Sequence, residues 1–181
     1  MNKKTKFFAV ALTALALFMG VQANAQSIQK GKLQFGVGVD GLVPVANLTN
    51  TTNFGLGVTP NLQYGITDKI ALTFTSGIYH FFPKDLYFQF QSQSYKYHNK
   101  LDLIPVKAGI KVFIASHIYV AGEAGLGFQV DSGHGDSKFL ASGGIGYASK
   151  HWDVGLRYEN FSANSDKNGL FGLRVAYGFS L

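Results

Sequence analysis

The sequence predicts an all-β fold, and three observations lead to this prediction. Apolar side chains alternate with small or polar ones in many segments, most clearly in residues 171–181. Successive strand side chains point to opposite faces, so that segment has one apolar face and one face of Gly, Ala, Ser and a single Arg. Charged residues make up 14% of the chain, against about 25% in ordinary soluble domains, and glycine occurs 22 times. These features are typical of a membrane-spanning β-barrel.

The first 25 residues have the features of a cleaved export signal. Three lysines give a positive start, residues 7–21 are apolar, and residues 23–25 form a small-residue cleavage site, Ala-Asn-Ala. The apolar stretch is short for a membrane-spanning helix. We therefore predict a signal peptide at residues 1–25 and one barrel domain at residues 26–181.

Composition excludes several classes of site. The chain has no cysteine, so it can form neither a disulfide nor a Cys-based metal site. Its formal net charge is +6, and no run of Lys or Arg occurs after the signal peptide. A mild charge without a basic cluster does not predict nucleic-acid binding. No cofactor is expected.

Alternating segments follow one another along the whole mature chain. Strands are predicted near residues 33–40, 54–65, 70–78, 104–112, 118–130, 139–147, 152–159 and 171–181. Short turns at 66–69, 114–117 and 149–151 alternate with longer loops at 44–53, 82–99, 131–138 and 160–168. Short periplasmic turns and long outer loops are the pattern of outer-membrane barrels. The expected fold is an eight-stranded antiparallel up-and-down transmembrane β-barrel, in which the first strand pairs with the last.

The inward positions of these strands carry a balanced set of charges. They are Asp40, Lys107, Lys111, Glu123, Asp153, Arg157, Glu159 and Arg174. The interior of an eight-stranded barrel is just wide enough for side chains to fill it. A buried charge is costly unless it is paired. We therefore expect an interior charge network, centred on Glu123, that plugs the barrel.

Outward-facing aromatic residues fall at two heights. Near the short turns lie Tyr64, Tyr147, Trp152, Tyr177 and Phe179, and near the long loops lie Phe54, Phe128, Phe139, Tyr158 and Phe171. The β-propensity of aromatic residues would not by itself sort them by height. Two aromatic girdles at the edges of a bilayer are the alternative. We expect both girdles to contact outer-membrane lipid and lipopolysaccharide.

Two short stretches and the last strand carry a resemblance to a known family. The stretches are residues 101–109, Leu-Asp-Leu-Ile-Pro-Val-Lys-Ala-Gly, and residues 154–159, Val-Gly-Leu-Arg-Tyr-Glu. With them the chain resembles the small OmpA/OmpX-like outer-membrane barrels of Gram-negative bacteria, including porin-family barrels of the Bacteroidetes. The resemblance covers essentially the whole mature chain. It implies a location in the outer membrane and insertion by the barrel-assembly machinery, and we expect a monomer. The last strand departs from the pattern, because it ends Phe179-Ser180-Leu181 rather than on an aromatic residue.

The predicted loop 82–99 is the surface that most favours a binding function. It holds Tyr87, Phe88, Phe90, Tyr95 and Tyr97, and Tyr79, Phe81 and Phe82 adjoin it. Exposed aromatic clusters mark binding surfaces. The expected function is non-enzymatic: a structural barrel whose outer loops serve adhesion by recognising a host or cell-surface ligand. Alternatively, these aromatics only widen the outer girdle and contact lipopolysaccharide.

Other functions have weaker support. Some eight-stranded barrels modify lipid A with Ser and His at the outer rim, and such chemistry needs an acid to orient the His. Ser116-His117 lies in a periplasmic turn, and His134 lies beside Ser132 and Asp136. Asp131, His134 and Asp136 also have the chemistry of a divalent-cation site. Solvated loop residues explain both groups better, so no catalytic or metal site is predicted. Balanced interior charges oppose a small pore, and a soluble barrel with an apolar ligand requires the opposite arrangement of faces.

Overall fold

The computed structural model describes residues 29–46, 49, 52–83, 86–90, 93–97, 101–130, 137–163 and 166–181. These residues form the strands β1 Leu33–Ala46, β2 Thr52–Gly65, β3 Ile70–Ser76, β4 Ile78–Pro83, β5 Leu86–Phe90, β6 Gln93–Tyr97, β7 Leu101–Phe113, β8 Ile118–Gln129, β9 Ser137–Ala148, β10 Trp152–Ala163 and β11 Asp166–Ser180. The predicted signal peptide lies outside the described residues. Within the described ranges, no helix is long and apolar enough to cross a membrane.

Nine of these strands form a closed antiparallel barrel that is eight strands around, because two short strands follow one another in the same place. Sequential neighbours pair around the ring, and β1 closes it by pairing with both β2 and β11. β3 and β4 share one position, because both pair with β2 on one side and with β7 on the other. β5 and β6 form a separate two-stranded hairpin between β4 and β7. The predicted fold class is confirmed.

Alternation along each strand separates an exposed apolar face from a buried face. Val39 and Val58 are 58% and 54% exposed, whereas Asp40 and Thr59 beside them are fully buried. The same parity continues around the ring, with Ile110, Leu126, Ile145 and Leu156 on the exposed face. The barrel therefore carries its apolar surface outside and its charges inside. We call the end with turns 66–69, 114–117 and 149–151 the turn end, and the opposite end the loop end.

The third position of the barrel is broken at Gly77. Gly77 has a φ of +151°, a conformation that side chains rarely adopt. The break falls between the Val58–Ile78 and Asn61–Thr75 pairs, and Pro60 lies in the same interval of β2. Proline has no N–H to donate, so a strand tolerates it where the ladder is interrupted. The break therefore accommodates the proline within this strand.

Three of the predicted loops are too long. β1 extends through Ala46, so much of the predicted loop 44–53 is strand. Predicted loop 160–168 is mostly ladder, with Asn160 paired to Gly169 and Ala163 to Asp166. In predicted loop 82–99, β4 ends at Pro83 and the hairpin occupies most of the remainder. Polar side chains marked these segments as loops, but backbone pairing depends on a partner strand and not on side-chain polarity.

Replacing Gly77 by alanine tests the break. An added Cβ would collide with the carbonyl oxygen of Val58 and lie 2.8 Å from Cα of Thr59. We expect Gly77→Ala to lower the free energy of unfolding by roughly 2 kcal/mol. Gly143→Ala is the matched control, because its Cβ would have no neighbour within 4 Å. Urea unfolding in detergent micelles, followed by tryptophan fluorescence, measures both variants. Equal losses of unfolding free energy in the two variants would show that position 77 accepts a residue with a side chain without extra strain.

Candidate functional site

The interior of the barrel holds all eight charged residues predicted to face inward. Asp40, Lys107, Lys111 and Glu159 are at most 5% exposed, and the other four are partly buried. They come from β1, β7, β8, β10 and β11, so most of the pairings between them join different strands, while Arg157 and Glu159 lie two residues apart on β10. Most of them lie in two groups at different heights.

The upper cluster lies nearer the loop end and comprises Asp40, Lys107, Glu123, Arg157 and Glu159. Nζ of Lys107 is 2.6 Å from Oε2 of Glu159 and 3.3 Å from Oε2 of Glu123. Nε of Arg157 lies 3.3 Å from the same oxygen of Glu159, and its Nη1 lies 2.9 Å from Oδ1 of Asp40. The cluster is therefore centred on Lys107 and Glu159 rather than on Glu123.

Hydroxyl groups complete the upper cluster. Thr73 and Thr75 donate to Oε1 of Glu123 over 3.2 and 2.8 Å. The Tyr79 hydroxyl accepts from Nη2 of Arg157 over 2.8 Å and from Nζ of Lys107 over 3.3 Å. Charges removed from water need such partners for their remaining lone pairs and protons. Sequence reasoning missed the hydroxyls, although their inward parity was available as a signal.

Two arginines span the seam where β1 meets β11. Arg157 on β10 reaches Asp40 on β1 across Gly172 of β11, whose added Cβ would lie 3.4 Å from the arginine side chain. Arg174 on β11 passes over Gly38 of β1 and donates from Nη2 to the carbonyl oxygen of Thr59 on β2, over 3.0 Å. In each case a glycine in the intervening strand leaves room for the guanidinium. The seam is thus bridged by side chains as well as by its backbone ladder.

The lower cluster lies nearer the turn end and comprises Gln63, Lys111, Tyr119 and Asp153. Lys111 forms an ion pair with Asp153 and donates to Oε1 of Gln63 over 2.9 Å. The Tyr119 hydroxyl donates to Oδ1 of Asp153 over 2.5 Å, and Nζ of Lys111 lies 4.1 Å from the centre of the tyrosine ring. Lys111 and Asp153 therefore both have partners inside the barrel.

Apolar side chains fill the interior beyond both clusters. The outer apolar layer, at the loop end, comprises Leu42, Tyr79, Phe81, Leu103, Leu140, Phe161 and Leu170, each at most 4% exposed. Ala71, Phe113, Tyr119 and Ala148 pack together at the turn end. The prediction that Tyr79 and Phe81 belong to an exposed aromatic surface is wrong, because β4 continues the inward parity of β3 past Gly77.

A cavity of about 50 Å³ remains between the clusters, lined in part by Asn61, Glu123 and Arg174. A single water needs about 10–15 Å³ of such space, so the cavity holds a few waters at most. The interior is therefore plugged by side chains over most of its length.

The predicted girdle residues lie on the outside of the barrel at its two ends. Of the ten, Tyr147 is partly buried and the other nine are at least 36% exposed. At the turn end Trp152 pairs with Tyr177, and at the loop end Tyr158 pairs with Phe171. Contact of these rings with lipid remains a prediction.

An outward-facing polar pair lies among the aromatics of the loop end. Nδ1 of His80 is 2.5 Å from Oδ1 of Asp102, and the two side chains are 41% and 35% exposed. The imidazole packs on the edge of Phe82, which stacks on Phe54 at 4.5 Å. The pair joins β4 to β7, the strands that precede and follow the hairpin in the chain.

The other predicted residues fall in turns, in the hairpin or outside the described ranges. Tyr87, Phe88, Phe90, Tyr95 and Tyr97 lie on β5 and β6, where Phe88 is opposite Tyr95. Ser116-His117 lies in the turn before β8, and the His117 ring stacks on Tyr147 at 5.3 Å. Residues 131–136, with the predicted cation and His–Ser groups, lie outside the described residues. Elsewhere, in the ranges the structure does describe, no group of three or more metal-ligating side chains occurs.

Known structures share this architecture. Ail, the attachment invasion locus protein of Yersinia pestis, is 15% identical, and the match covers 83% of this chain and 100% of Ail with a TM-score of 0.55. The N-terminal β-barrel domain of Pseudomonas aeruginosa OprF is 13% identical, over 81% of this chain and 97% of the domain, with a TM-score of 0.50. The outer membrane protein AlkL is 12% identical, over 90% and 96%, also with a TM-score of 0.50.

The chain has the fold of the small outer-membrane β-barrels. The resemblance predicted from the sequence is confirmed at the level of this fold. No sequence family profile matches the chain. No curated protein matches it in sequence either.

A double-mutant cycle tests the centre of the upper cluster. Lys107→Met and Glu159→Leu each remove the 2.6 Å ion pair and leave a buried charge with only its more distant partner, so each should lower the free energy of unfolding by about 3 kcal/mol. The free energy of unfolding of the double variant should exceed the value expected from adding the two single losses by at least about 1 kcal/mol, because the two residues are in contact.

The matched control combines Lys111→Met with Glu159→Leu. These residues belong to different clusters and share no partner in the contacts described above, so their effects should add within about 0.5 kcal/mol. Chemical unfolding in micelles measures all variants. Additivity at the Lys107–Glu159 pair would show that the two charges are not coupled.

Proposed function

We propose that this protein is an integral outer-membrane barrel with a structural, non-enzymatic role, and that its outer loops recognise surface ligands. The observation that carries the proposal is the inverted distribution of polarity. Large apolar side chains such as Val39, Phe74 and Leu156 are about half exposed, whereas Lys107 and Glu159 have no exposed side-chain surface. A soluble barrel would leave the apolar belt in water, and a bilayer removes that unfavourable contact.

The closed interior supports a structural role rather than transport. The outer apolar layer, the two clusters and the turn-end group follow one another along the barrel axis. Phe81 in the outer layer and Lys107 in the upper cluster are each 1% exposed. An aqueous channel needs a continuous lumen, which is a property of larger barrels. A small pore remains the alternative that this packing opposes.

The hairpin β5–β6 supports the recognition part of the proposal. It extends the chain between β4 and β7 as a separate two-stranded sheet, and aromatic residues occupy many of its positions. Rigid aromatic residues provide large contact areas at low cost in side-chain entropy. Ail, which shares the fold, has been solved with the heparin analogue sucrose octasulfate. A sulfated or otherwise anionic surface glycan is therefore a reasonable first probe, alongside lipopolysaccharide. Insertion by the barrel-assembly machinery and a monomeric state remain predictions.

Deleting the hairpin separates the structural role from recognition. Replacement of residues 86–97 by a short Gly-Ser linker should leave the protein in the outer-membrane fraction, with an unboiled gel band that runs faster than the boiled one. Attachment of cells to immobilised heparin or to host cells should fall to the level of cells lacking the protein. The matched control replaces residues 131–136 in the same way and should retain attachment.

Unchanged attachment after the hairpin deletion would contradict the recognition role and leave the membrane barrel intact. Recovery of the parent protein in the soluble periplasmic fraction, without a heat-dependent shift, would contradict the membrane barrel itself. It would instead favour a soluble barrel that carries an apolar ligand.

Planar-bilayer recordings test the pore alternative. The purified barrel should give no conductance steps above noise, because Phe81, Leu140 and Leu170 close the loop end with at most 1% exposure each. The triple alanine variant of these residues is the informative comparison, since it opens the outer layer while leaving both charge clusters in place. Steps in the parent protein would establish a conducting path and refute the plugged interior.

A further inference from the structure

A one-sided arc of lysines lies at the turn end of the barrel. Lys30, Lys32, Lys69 and Lys150 are all exposed there, and among the described residues of that end Asp68 is the only exposed carboxylate side chain. The turn before β8, residues 114–117, contributes no lysine. The positive charge is therefore confined to the part of the rim on either side of the β1–β11 seam.

Hydrogen bonds hold the arc in place. The Lys30 N–H donates to Oδ1 of Asp68 over 3.2 Å, and the Gly65 N–H donates to the Lys32 carbonyl over 3.0 Å. These contacts fix the segment before β1 against the β2–β3 turn. Nε2 of Gln34 on β1 donates to the Lys150 carbonyl over 3.3 Å, which ties the β9–β10 turn to the same seam. The lysine backbones are thus anchored while their side chains stay in solvent.

An exposed aromatic cluster lies directly beside the arc on the outer face. The His151 ring stacks on Tyr177 at 5.5 Å, and Trp152 and Phe179 pack edge-on against Tyr177 at 5.1 and 5.0 Å. Trp152 and Phe179 are 39% and 51% exposed. Tyrosine and tryptophan side chains favour the headgroup level of a bilayer. The lysines therefore lie next to the turn-end edge of the apolar outer surface.

We propose that this arc binds the headgroups of anionic phospholipids, with the acyl chains lying along the Trp152–Tyr177–Phe179 cluster. The inference rests on the proposed membrane function and on the assignment of the turn end to the periplasmic, phospholipid-containing leaflet. Basic side chains at a bilayer surface attract anionic lipids, and aromatic side chains fix the depth of the contact. The proposed ligand is a lipid rather than a free phosphate. The lysines lie beside the apolar outer surface of the barrel, so one molecule with a charged headgroup and acyl chains can contact both.

The single tryptophan of the chain is placed to report this binding. The protein is reconstituted in neutral phosphatidylcholine vesicles that contain a fixed fraction of either brominated phosphatidylglycerol or brominated phosphatidylcholine. Bromine quenches Trp152 only from lipids that contact it. We expect the phosphatidylglycerol to bind about threefold more strongly than phosphatidylcholine at low salt. The preference should fall as salt rises from about 0.1 to 1 M, where the Debye length shortens from about 10 to 3 Å.

A variant with Lys30, Lys32, Lys69 and Lys150 changed to Gln should lose the preference. Lys138→Gln at the loop end is the control and should keep it. Equal quenching by the two lipids in the parent protein would overturn the inference while leaving the membrane barrel in place. A preference for phosphatidylglycerol that survives the four substitutions, or that survives high salt, would do the same. Absence of quenching by either lipid would contradict the proposed membrane function as well. The salt titration of the parent protein tests the inference even if the fourfold variant fails to fold.

Discussion

Closure of the sheet between β1 and β11 is the constraint on which the rest of this structure depends. The ladder runs from Gln34–Ser180 to Ala46–Asn168, so neither the first nor the last strand of the barrel is left as an open edge. In a bilayer no water is available to satisfy a free edge, and closure is the way a sheet can span it. Closing eight positions also fixes a narrow interior. Every inward side chain must then fit a limited volume.

The glycines and charges of the inner face follow from that narrow interior. Arg174 passes over Gly38, where an added Cβ would lie 2.4 Å from its Nε, and Arg157 passes beside Gly172, where an added Cβ would lie 3.4 Å from its side chain. The carboxylate of Asp40 is shared between Thr59 on one side and Arg157 on the other, so β1 is held to β2 and to β10 by the same group. Buried charges of this kind contribute to conformational specificity in some proteins. Here they lie at the point where the barrel closes.

The two ends of the barrel differ in both shape and charge. At the loop end, the apolar interior layer fills the lumen, and His80 with Asp102 joins β4 to β7, the strands that precede and follow the hairpin in the chain. At the turn end, the connections are short and the exposed side chains include four lysines and several aromatics. This asymmetry agrees with the proposals that the loop end binds ligands and the turn end binds lipid.

The sequence by itself determined the all-β class, the eight barrel positions and the face on which nearly every strand residue lies, because a period of two is a local property of the chain. It likewise predicted which charges point inward. It did not determine how Lys107, Glu159 and Arg157 combine, since partners across the lumen are set by register and barrel diameter. Tyr79 and Phe81 keep the inward parity of Thr73, but the predicted strand ended at residue 78, so the prediction missed that both are interior residues. Strand ends were predicted least well, because β10 and β11 remain paired beyond Asn160 wherever a partner backbone is present, whatever the side chains. Those features depend on contacts between residues far apart in the chain, which only the tertiary structure brings together.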